Sequence, residues 1–331
     1  MRATVVIPCF RPDDNLEKML GDLNAQSSKE FEVIVVDDGN AEPIEPRIQA
    51  GLNRPHRVIR FEENRGIVAG LNVGVAAVRT PYIIRMDADD RMSSRRIERQ
   101  LAFMEANPEV DIAGSSMAVF GSGLRVWTKP AEHDTIVAGL LWSPSLHHPT
   151  VVARREVLQD NPYPEGFHLA EDYALWLTLA AKGVRMANSP GVEVYYRMEG
   201  QNTSQENTQR RSVRYLALWR QALATLLPEG LEHLEPGLDA GCHHVLAGVP
   251  LPEGWDRPSL SHLVSHVDAL RTQLLLHGEK TGEAWVNRAI QDLADRLDQA
   301  SSRTKWHKLG SVWALSRLTL GDWLLLLGRS R

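Results

Sequence analysis

The sequence predicts an α/β fold in which a mostly parallel sheet is flanked by helices, followed by an α-helical C-terminal extension. Short apolar runs alternate with helix-like segments through the first 90 residues, which is the pattern of a parallel sheet with helices on its faces. Each apolar run ends in polar or turn-forming residues, and such folds bind ligands beyond the carboxyl ends of their strands. After residue 205 the periodicity becomes helical, with breaks at proline and glycine.

Four strands are predicted in this first part, each a short run rich in β-branched or other apolar residues. They cover residues 4–7, 31–36, 58–61 and 82–86. Apolar residues at helical spacing predict helices over 13–26 and 66–78. Gly66, Gly70 and Gly74 lie four apart in the second helix and lack the G-x-G-x-x-G spacing of a dinucleotide loop. We therefore expect them to let that helix lie close to the sheet.

The next hundred residues continue the mixture of helices and strands. We predict a helix from Ser93 or Ser94 to before Pro108, capped by the serine side chain. The other predicted elements are strands over 111–120, 124–128, 149–153 and 192–197 and helices over 136–142 and 170–183. A domain boundary is expected near residue 205, which gives an α/β domain over 1–205 and a helical extension over 206–331.

The segment 82–90 begins as a buried strand and ends in the carboxylates Asp87, Asp89 and Asp90. Asp87 and Asp89 are two positions apart, so on an extended backbone their side chains lean the same way and repel each other. A site of this kind suits Mg²⁺ or Mn²⁺, completed by water and phosphate oxygens. The alternative is an acidic turn that caps the helix starting near Ser93.

Composition limits the class of protein. The chain has 331 residues and a formal net charge of −5, which argues against a general nucleic-acid binder. Two cysteines, Cys9 and Cys242, cannot form a disulfide framework, so a reducing compartment is the default. The N-terminus lacks the pattern of a signal peptide, and no apolar run reaches the ~18 residues of a membrane span. A cytoplasmic location is expected.

Two features of the extension have alternative interpretations. His262 and His266 have the spacing of a zinc-protease pair, but the glutamate of that motif is missing, so a structural or surface role is expected. Residues 303–331 are basic and rich in Trp and Leu. They could lie in a membrane interface, which would make the protein peripheral at the inner face of the membrane. They could instead form terminal helices that pack on the domain or on a second copy of the chain.

Six sequence fragments, in order along the chain, resemble those of one known family. They are Val6-Ile7-Pro8-Cys9-Phe10, Val35-Val36-Asp37-Asp38-Gly39, Glu63-Asn64-Arg65-Gly66, Arg85-Met86-Asp87-Ala88-Asp89-Asp90, His148-Pro149-Thr150 and Glu171-Asp172. The chain resembles the inverting glycosyltransferases of family 2, which have the GT-A fold with a Rossmann-like nucleotide-binding half and use nucleotide-sugar donors. The resemblance covers roughly the first two-thirds of the chain.

For the donor, the resemblance implies that Pro8 and Phe10 line the pocket for the base. Asp38 would accept a hydrogen bond from the base, and Arg65 would approach the diphosphate. Asp87 would contact the nucleotide side of the site. Phe10 stands where a tyrosine is often found, so it keeps the stacking ring and loses a hydroxyl.

For the chemistry, the resemblance implies that Asp89, with Asp87, holds Mn²⁺ or Mg²⁺ and that Asp172 is the general base. The family often has a histidine near the metal, shortly after a Tyr-Arg pair. Here Tyr196-Arg197 is followed by Met198-Glu199, so the histidine is absent. Two alternatives follow: Glu199 substitutes as an oxygen ligand, or the metal site is weaker.

The expected reaction is transfer of a sugar from a nucleoside diphosphate, UDP by preference, to a saccharide or lipid-linked saccharide hydroxyl, as in cell-surface polysaccharide synthesis. The alternative is a catalytically impaired relative that binds a nucleotide sugar or a glycan, and the missing histidine is its support. A nucleotidyltransferase would need a glycine- and lysine-rich loop after the first strand, where this chain has Cys9-Phe10-Arg11-Pro12.

Overall fold

The structure is a computed structural model that describes residues 1–120, 125–167, 169–198 and 284–302, together with scattered positions between 224 and 274. The chain divides into two compact units. The first comprises residues 1–136 and 144–204, and the second comprises residues 137–143 and 205–331. The predicted tail 303–331, Glu199 and most of the extension lie outside the described residues.

One mixed sheet contains all the strands of the described residues. They are β1 Ala3–Cys9, β2 Phe31–Asp37, β3 His56–Arg60, β4 Tyr82–Arg85, β5 Arg91–Met92, β6 Ile112–Phe120, β7 Arg125–Trp127, β8 Val152–Arg154 and β9 Met186–Arg197. Their order is β3-β2-β1-β4-β8-β6-β9-β5, with β7 on β6. Strands β1 to β4 are parallel, as the sequence predicts. From β8 onward the pairing is mixed, and only β6 with β9 is parallel.

Helices connect these strands and cover both faces of the sheet. They are α1 Asn15–Asn24, α2 Glu45–Gly51, α3 Ile67–Ala76, α4 Arg96–Ala106, α5 His133–Gly139, α6 Arg155–Gln159 and α7 Glu171–Ala181, with a short 3-10 helix at His148–Thr150. Helix α4 begins later than predicted, with Arg95 at its N-cap and no side-chain cap. Its Ile97 amide instead donates to the side-chain oxygen of Gln26, 3.2 Å away.

On one face of the sheet, α1 and α4 cover alternate residues of β1. This cluster has almost no exposed surface and includes Val5, Ile7, Cys9, Leu16, Leu20, Ile97 and Leu101. The alternation follows from the two-residue period of a strand, and the helical members are spaced three or four apart. The packing fixes the direction of β1 and therefore the place where its carboxyl end opens.

On the other face, α3 lies close to the sheet because of its glycines. A Cβ on Gly74 would lie 2.6 Å from Cγ1 of Val6 and 3.2 Å from Cγ2 of Val36. A Cβ on Gly70 would be 3.5 Å from the Cβ of Pro8. The expectation of close helix–sheet packing is confirmed, and it places the N-terminus of α3 beside the carboxyl ends of β1 and β2.

The second unit is described mainly by one helix, α8, over Ala284–Ser302. Within this unit Arg296 forms an ion pair with Asp292 at 2.7 Å, and its guanidinium lies 4.8 Å from the ring centroid of Trp142. His262 is exposed and His266 is buried, so the two histidines occupy different environments. Among the described residues, no helix is both long enough and apolar enough to cross a bilayer.

Candidate active site

The carboxyl ends of β1 and β2 are joined by a buried polar network centred on Asp37. Its carboxylate accepts hydrogen bonds from Asn40, from the Ile44 amide and from Arg60. Asn40 also donates to the Cys9 carbonyl at 3.0 Å. Burial acts to raise the pKa of Asp37, but these hydrogen bonds outweigh it and the pKa lies below its ordinary value. Asp37 therefore holds the two strand ends in place.

The next residue, Asp38, organises the loop that precedes α3. Its carboxylate accepts hydrogen bonds from the amides of Arg65 at 2.7 Å and Gly66 at 3.0 Å, and from the side chain of Asn64 at 2.8 Å. Gly66 has a φ of 84°, a conformation that favours glycine. A Cβ on Gly39 would lie 2.2 Å from the carbonyl carbon of Glu63. The fragments Val35-Val36-Asp37-Asp38-Gly39 and Glu63-Asn64-Arg65-Gly66 thus pack and hydrogen-bond against each other.

Phe10 follows β1 and remains open at the rim of this structure. Its side chain is 44% exposed, and the guanidinium of Arg11 lies 4.8 Å from its ring centroid. Arg11 has a φ of 49°, and its amide donates to Asn40 at 2.6 Å. Pro8 is half-buried under α3, and the guanidinium of Arg65 lies over the ring of Phe61 at 4.7 Å. Phe10 thus leaves an exposed aromatic ring next to the carboxyl end of β1.

The acidic turn after β4 is held by two arginines. Asp87 forms an ion pair with Arg85, which is buried, and Asp89 forms one with Arg197 at 3.1 Å. The backbone amide of Arg197 donates to Asp90 at 2.8 Å. The carboxylates of the turn are engaged in these contacts, and α4 begins at Arg96 without a side-chain cap. The interpretation of the turn as a helix cap is therefore not supported.

The turn brings three carboxylates together, of which Asp90 is buried and Asp87 and Asp89 are half-buried. Burial raises the pKa of Asp87, and the charge of Asp89 adds to this while Arg85 opposes it. Burial, followed by the charge of Asp87, raises the pKa of Asp90 well above its ordinary value. One carboxylate oxygen of Asp90, Oδ2, is buried without a hydrogen-bond partner. This excess of oxygen acceptors fits a hard divalent cation.

A cation at this turn would take only some of its ligands from the protein. Within the described ranges, no group of three or more His, Cys, Asp or Glu side chains is placed to hold a metal ion. Magnesium sites commonly use one or two carboxylates and complete the shell with water and substrate phosphates. Asp87 and Asp89 match that arrangement, and the Asp89 side chain is 47% exposed.

A buried arginine connects the acidic turn to the rest of the site. Arg96 is fully buried and donates to the carbonyls of Arg85 at 2.7 Å and Pro149 at 2.8 Å. Gln100, one turn along α4, donates to the Thr150 carbonyl at 2.6 Å. Burial lowers the pKa of Arg96 to about 9, so the group stays charged at neutral pH. The end of β4 and the 3-10 helix at His148–Thr150 are therefore tied together.

Asp172 lies in the first turn of α7, where its Oδ1 accepts a hydrogen bond from the Tyr173 amide at 2.7 Å. Burial, followed by the charge of Glu171, raises the pKa of Asp172 to about 6, while Arg85 and Lys129 oppose the shift. Arg85 interacts electrostatically with both Asp172 and Asp87. The charge of one buried cation thus acts on both the predicted base and the predicted metal turn.

The structure therefore groups the predicted residues in two clusters. In the first, Asp87 pairs with Arg85, whose charge also acts on Asp172, and Asp89 pairs with Arg197. In the second, Pro8, Phe10, Asp38 and Arg65 lie at the ends of β1 and β2 and the start of α3. The charge partners Arg85 and Arg197 had no predicted role, although both lie inside or beside recognised fragments. Pairing across 108 residues, as between Asp89 and Arg197, leaves no local signal in a sequence.

Comparison with known proteins gives a consistent result. The sequence profile described as glycosyl transferase family 2 matches residues 4–161. An uncharacterised glycosyltransferase of Haemophilus influenzae is 30% identical over 192 residues, which cover 55% of this chain and 70% of that protein. The amylovoran biosynthesis glycosyltransferase AmsE of Erwinia amylovora is 29% identical over 187 residues, 54% of this chain and 69% of that protein.

Solved structures agree on the fold. S. aureus TarS 1–349 in complex with UDP-GlcNAc has a TM-score of 0.58 and 18% identity, covering 92% of this chain and 88% of that chain. A longer TarS chain is matched over 53% of its length. The mannosyltransferase PcManGT from Pyrobaculum calidifontis, in complex with GDP-Man and Mn²⁺, has a TM-score of 0.50 and 16% identity, covering 93% and 88%. The predicted GT-A-type α/β fold is confirmed.

Proposed function

Because this chain belongs to glycosyl transferase family 2 and is a glycosyltransferase, we propose that it carries out a metal-dependent, inverting transfer from a nucleoside-diphosphate sugar. The donor is a UDP-sugar by preference, and the acceptor is a hydroxyl of a saccharide or a lipid-linked saccharide. The observation that carries this proposal is the buried Arg85, which pairs with Asp87 of the acidic turn and whose charge also acts on Asp172. It supports a site in which one carboxylate serves the leaving group and another serves the attacking hydroxyl.

The donor's base is proposed to stack on Phe10 beside Pro8 and to donate a hydrogen bond to Asp38. The carboxylate of Asp38 accepts three hydrogen bonds from residues 64–66. A carboxylate has about four acceptor positions, so one remains for a base N–H. Arg65 belongs to this loop, and its side chain is proposed to face the diphosphate. The UDP-GlcNAc named with TarS supports a UDP-sugar, although GDP-Man in PcManGT shows that the fold takes other donors.

Asp87 and Asp89 would hold Mn²⁺ or Mg²⁺, and the Mn²⁺ named with PcManGT supports this choice of cofactor. When bound, the cation supplies positive charge that stabilises the departing diphosphate. The protein's own contribution is to keep the two carboxylates oriented. Arg85 fixes Asp87 from the buried side, and Arg96 fixes the carbonyl of Arg85.

Asp172 is proposed to accept the proton of the acceptor hydroxyl as that oxygen attacks the anomeric carbon. With a pKa of about 6, its carboxylate is mainly ionised at neutral pH yet more basic than an ordinary aspartate. General-base assistance of this kind contributes about 10²–10⁴-fold in rate. The bond to the diphosphate breaks as the new bond forms on the opposite face. The configuration inverts in one step, and no covalent intermediate is required.

The biological role is proposed to be polysaccharide biosynthesis, supported by the name of AmsE, which assigns that relative to amylovoran biosynthesis. We propose that residues 1–205 form the catalytic domain and that residues 206–331 form a helical extension. Residues 303–331 are basic and Trp-rich, which supports peripheral contact with the inner face of the membrane. The same segment could instead join two copies of the chain.

Donor hydrolysis tests the proposal against the alternative of a binding protein without turnover. The full chain is incubated with UDP-sugars and Mn²⁺, and released UDP is measured. Release by the wild type and its loss in Asp89→Ala would support the proposal. Asp160→Asn, at an exposed carboxylate after α6, is the matched control and should behave as the wild type. Binding of UDP without any release would favour the impaired relative.

A further inference from the structure

Arg197 touches acidic residues from two separate parts of the donor site. At the end of β9, its guanidinium lies 3.1 Å from Asp89 of the metal turn and 3.1 Å from Asp13. Asp13 belongs to the segment between β1 and α1 that also carries Phe10. The backbone amide of Arg197 donates to Asp90 at 2.8 Å, which anchors the residue beside the turn.

This contact conflicts with metal binding at the same carboxylate. A divalent cation on Asp89 and the guanidinium beside it carry like charges, and each would weaken the binding of the other. The conflict disappears when an anion lies between them. A diphosphate is such an anion, and the planar fork of arginine matches phosphate oxygens.

We propose that Arg197 is a diphosphate-binding residue held by Asp89 while the donor is absent. When a divalent cation and the donor arrive together, the guanidinium exchanges Asp89 for the donor's diphosphate. Asp89 is then free to hold the cation, while Asp13 keeps the guanidinium near the segment that carries Phe10. This inference rests on the proposed function, since it assigns the diphosphate to the same site.

The proposal predicts opposite effects on two binding constants. In the full chain, Arg197→Gln removes the competitor for Asp89, so Mn²⁺ alone should bind several-fold tighter in a Mn²⁺ titration followed by electron paramagnetic resonance. UDP in the presence of saturating Mn²⁺ should bind about tenfold weaker by calorimetry, the size expected for one lost charge-assisted contact. A purely structural role would weaken both.

Arg47→Gln is the matched control. Arg47 also loses one positive charge on substitution, and its guanidinium donates to the carbonyls of Pro12 and Asp13. It therefore loosens the same segment, but its hydrogen bonds go to Glu17 and these carbonyls and not to Asp89. Both binding constants should stay near the wild-type values in this variant. The same crossed pattern in Arg47→Gln would overturn the proposal.

Arg197→Lys keeps the charge and covers the case in which the glutamine variant does not fold. Its affinity for Mn²⁺ alone should match the wild type, and its affinity for UDP with Mn²⁺ should fall because an ammonium lacks the planar fork. Tighter Mn²⁺ binding in the lysine variant, or unchanged binding of both ligands in the glutamine variant, would overturn the inference. Failure of the wild type to bind UDP with Mn²⁺ would instead refute the proposed function.

Discussion

Asn72 of α3 and Tyr163 are joined by two hydrogen bonds. The Asn72 side chain donates to the Tyr163 carbonyl at 2.9 Å and accepts from the Tyr163 amide at 2.8 Å. The Tyr163 hydroxyl in turn lies 2.9 Å from Nε2 of His148. A helix on the donor side of the sheet is thereby connected to the segment that leads into α7 and Asp172.

We predict that Asn72→Ala lowers the free energy of unfolding by about 1–3 kcal/mol, because it leaves two backbone groups of Tyr163 without partners. Urea unfolding followed by circular dichroism measures the change. Asn53→Ala, at an exposed asparagine, should shift the midpoint very little. Equal stability of the two variants would show that the pairing contributes nothing.

Gly74→Ala should destabilise the protein because the new Cβ would lie 2.6 Å from Cγ1 of Val6. Overpacking of this kind costs about 1–3 kcal/mol. Gly21→Ala in α1 is the control, since a Cβ there meets no atom within 4 Å. Because alanine has the higher helix propensity, the control should gain up to about 1 kcal/mol. Thermal unfolding of both variants checks the opposite signs.

Phe10→Ala should weaken UDP binding, because stacking of a base on an aromatic ring is worth about 1–3 kcal/mol. Calorimetric titration in the presence of Mn²⁺ measures the loss, and Phe10→Tyr should retain the affinity. Val126→Ala removes another exposed apolar side chain, 56% accessible, and serves as the control. Wild-type affinity in Phe10→Ala would remove this ring from the donor site.

The rate of sugar transfer should depend on pH through Asp172. A base must be deprotonated to act, and the pKa of Asp172 is raised to about 6, so kcat/KM should fall as pH drops through about 6. In Asp172→Asn the rate should fall by about 10²–10⁴-fold and this limb of the profile should vanish. A near-wild-type rate in Asp172→Asn would assign the proton to another group.

The same substitution should affect stability in the opposite direction. A carboxyl whose pKa is raised by folding binds its proton more tightly in the folded state, so its ionisation destabilises the protein progressively from about pH 4 to about pH 6. Above that range the cost is fully present, and Asp172→Asn should relieve it. We expect a higher melting temperature at pH 7.5, by an amount equivalent to about 1–3 kcal/mol, and a smaller difference at pH 4.5. A variant less stable than the wild type at pH 7.5 would contradict this.

The parallel half of the sheet was predictable because each of its strands can be recognised from its own apolar sequence. Strand β2 was predicted over 31–36 and spans Phe31–Asp37, because its run 33–36 is apolar at every position, as in a strand buried on both faces. Helix α6 has 5 residues, too few to show a helical period, and was not predicted. Helix α2 was missed as well, because it contains Pro46 and buries one side chain, Ile48. The mixed pairing beyond β4 depends on contacts between distant strands, which composition does not encode.

The start of α4 shows a similar limit. Serine is a good N-cap, so Ser93 or Ser94 was the natural prediction. In the structure Gln26, which lies 71 residues away from Ile97 in sequence, accepts the hydrogen bond of the Ile97 amide. In the site, the acidic residues could be recognised from sequence motifs, but the arginines that pair with them, Arg85 and Arg197, could not. The positions of these arginines depend on the fold, which brings distant residues together, and on the need to balance the charge of buried carboxylates.

Arg96 has a consequence for protein engineering. One side chain with no exposed surface serves a strand end, a turn and a neighbouring glutamine at once, through three different nitrogen atoms. No other natural side chain offers that number of donors in a plane. Attempts to alter sugar or nucleotide preference should therefore vary the exposed residues around Phe10 and leave Arg96 unchanged.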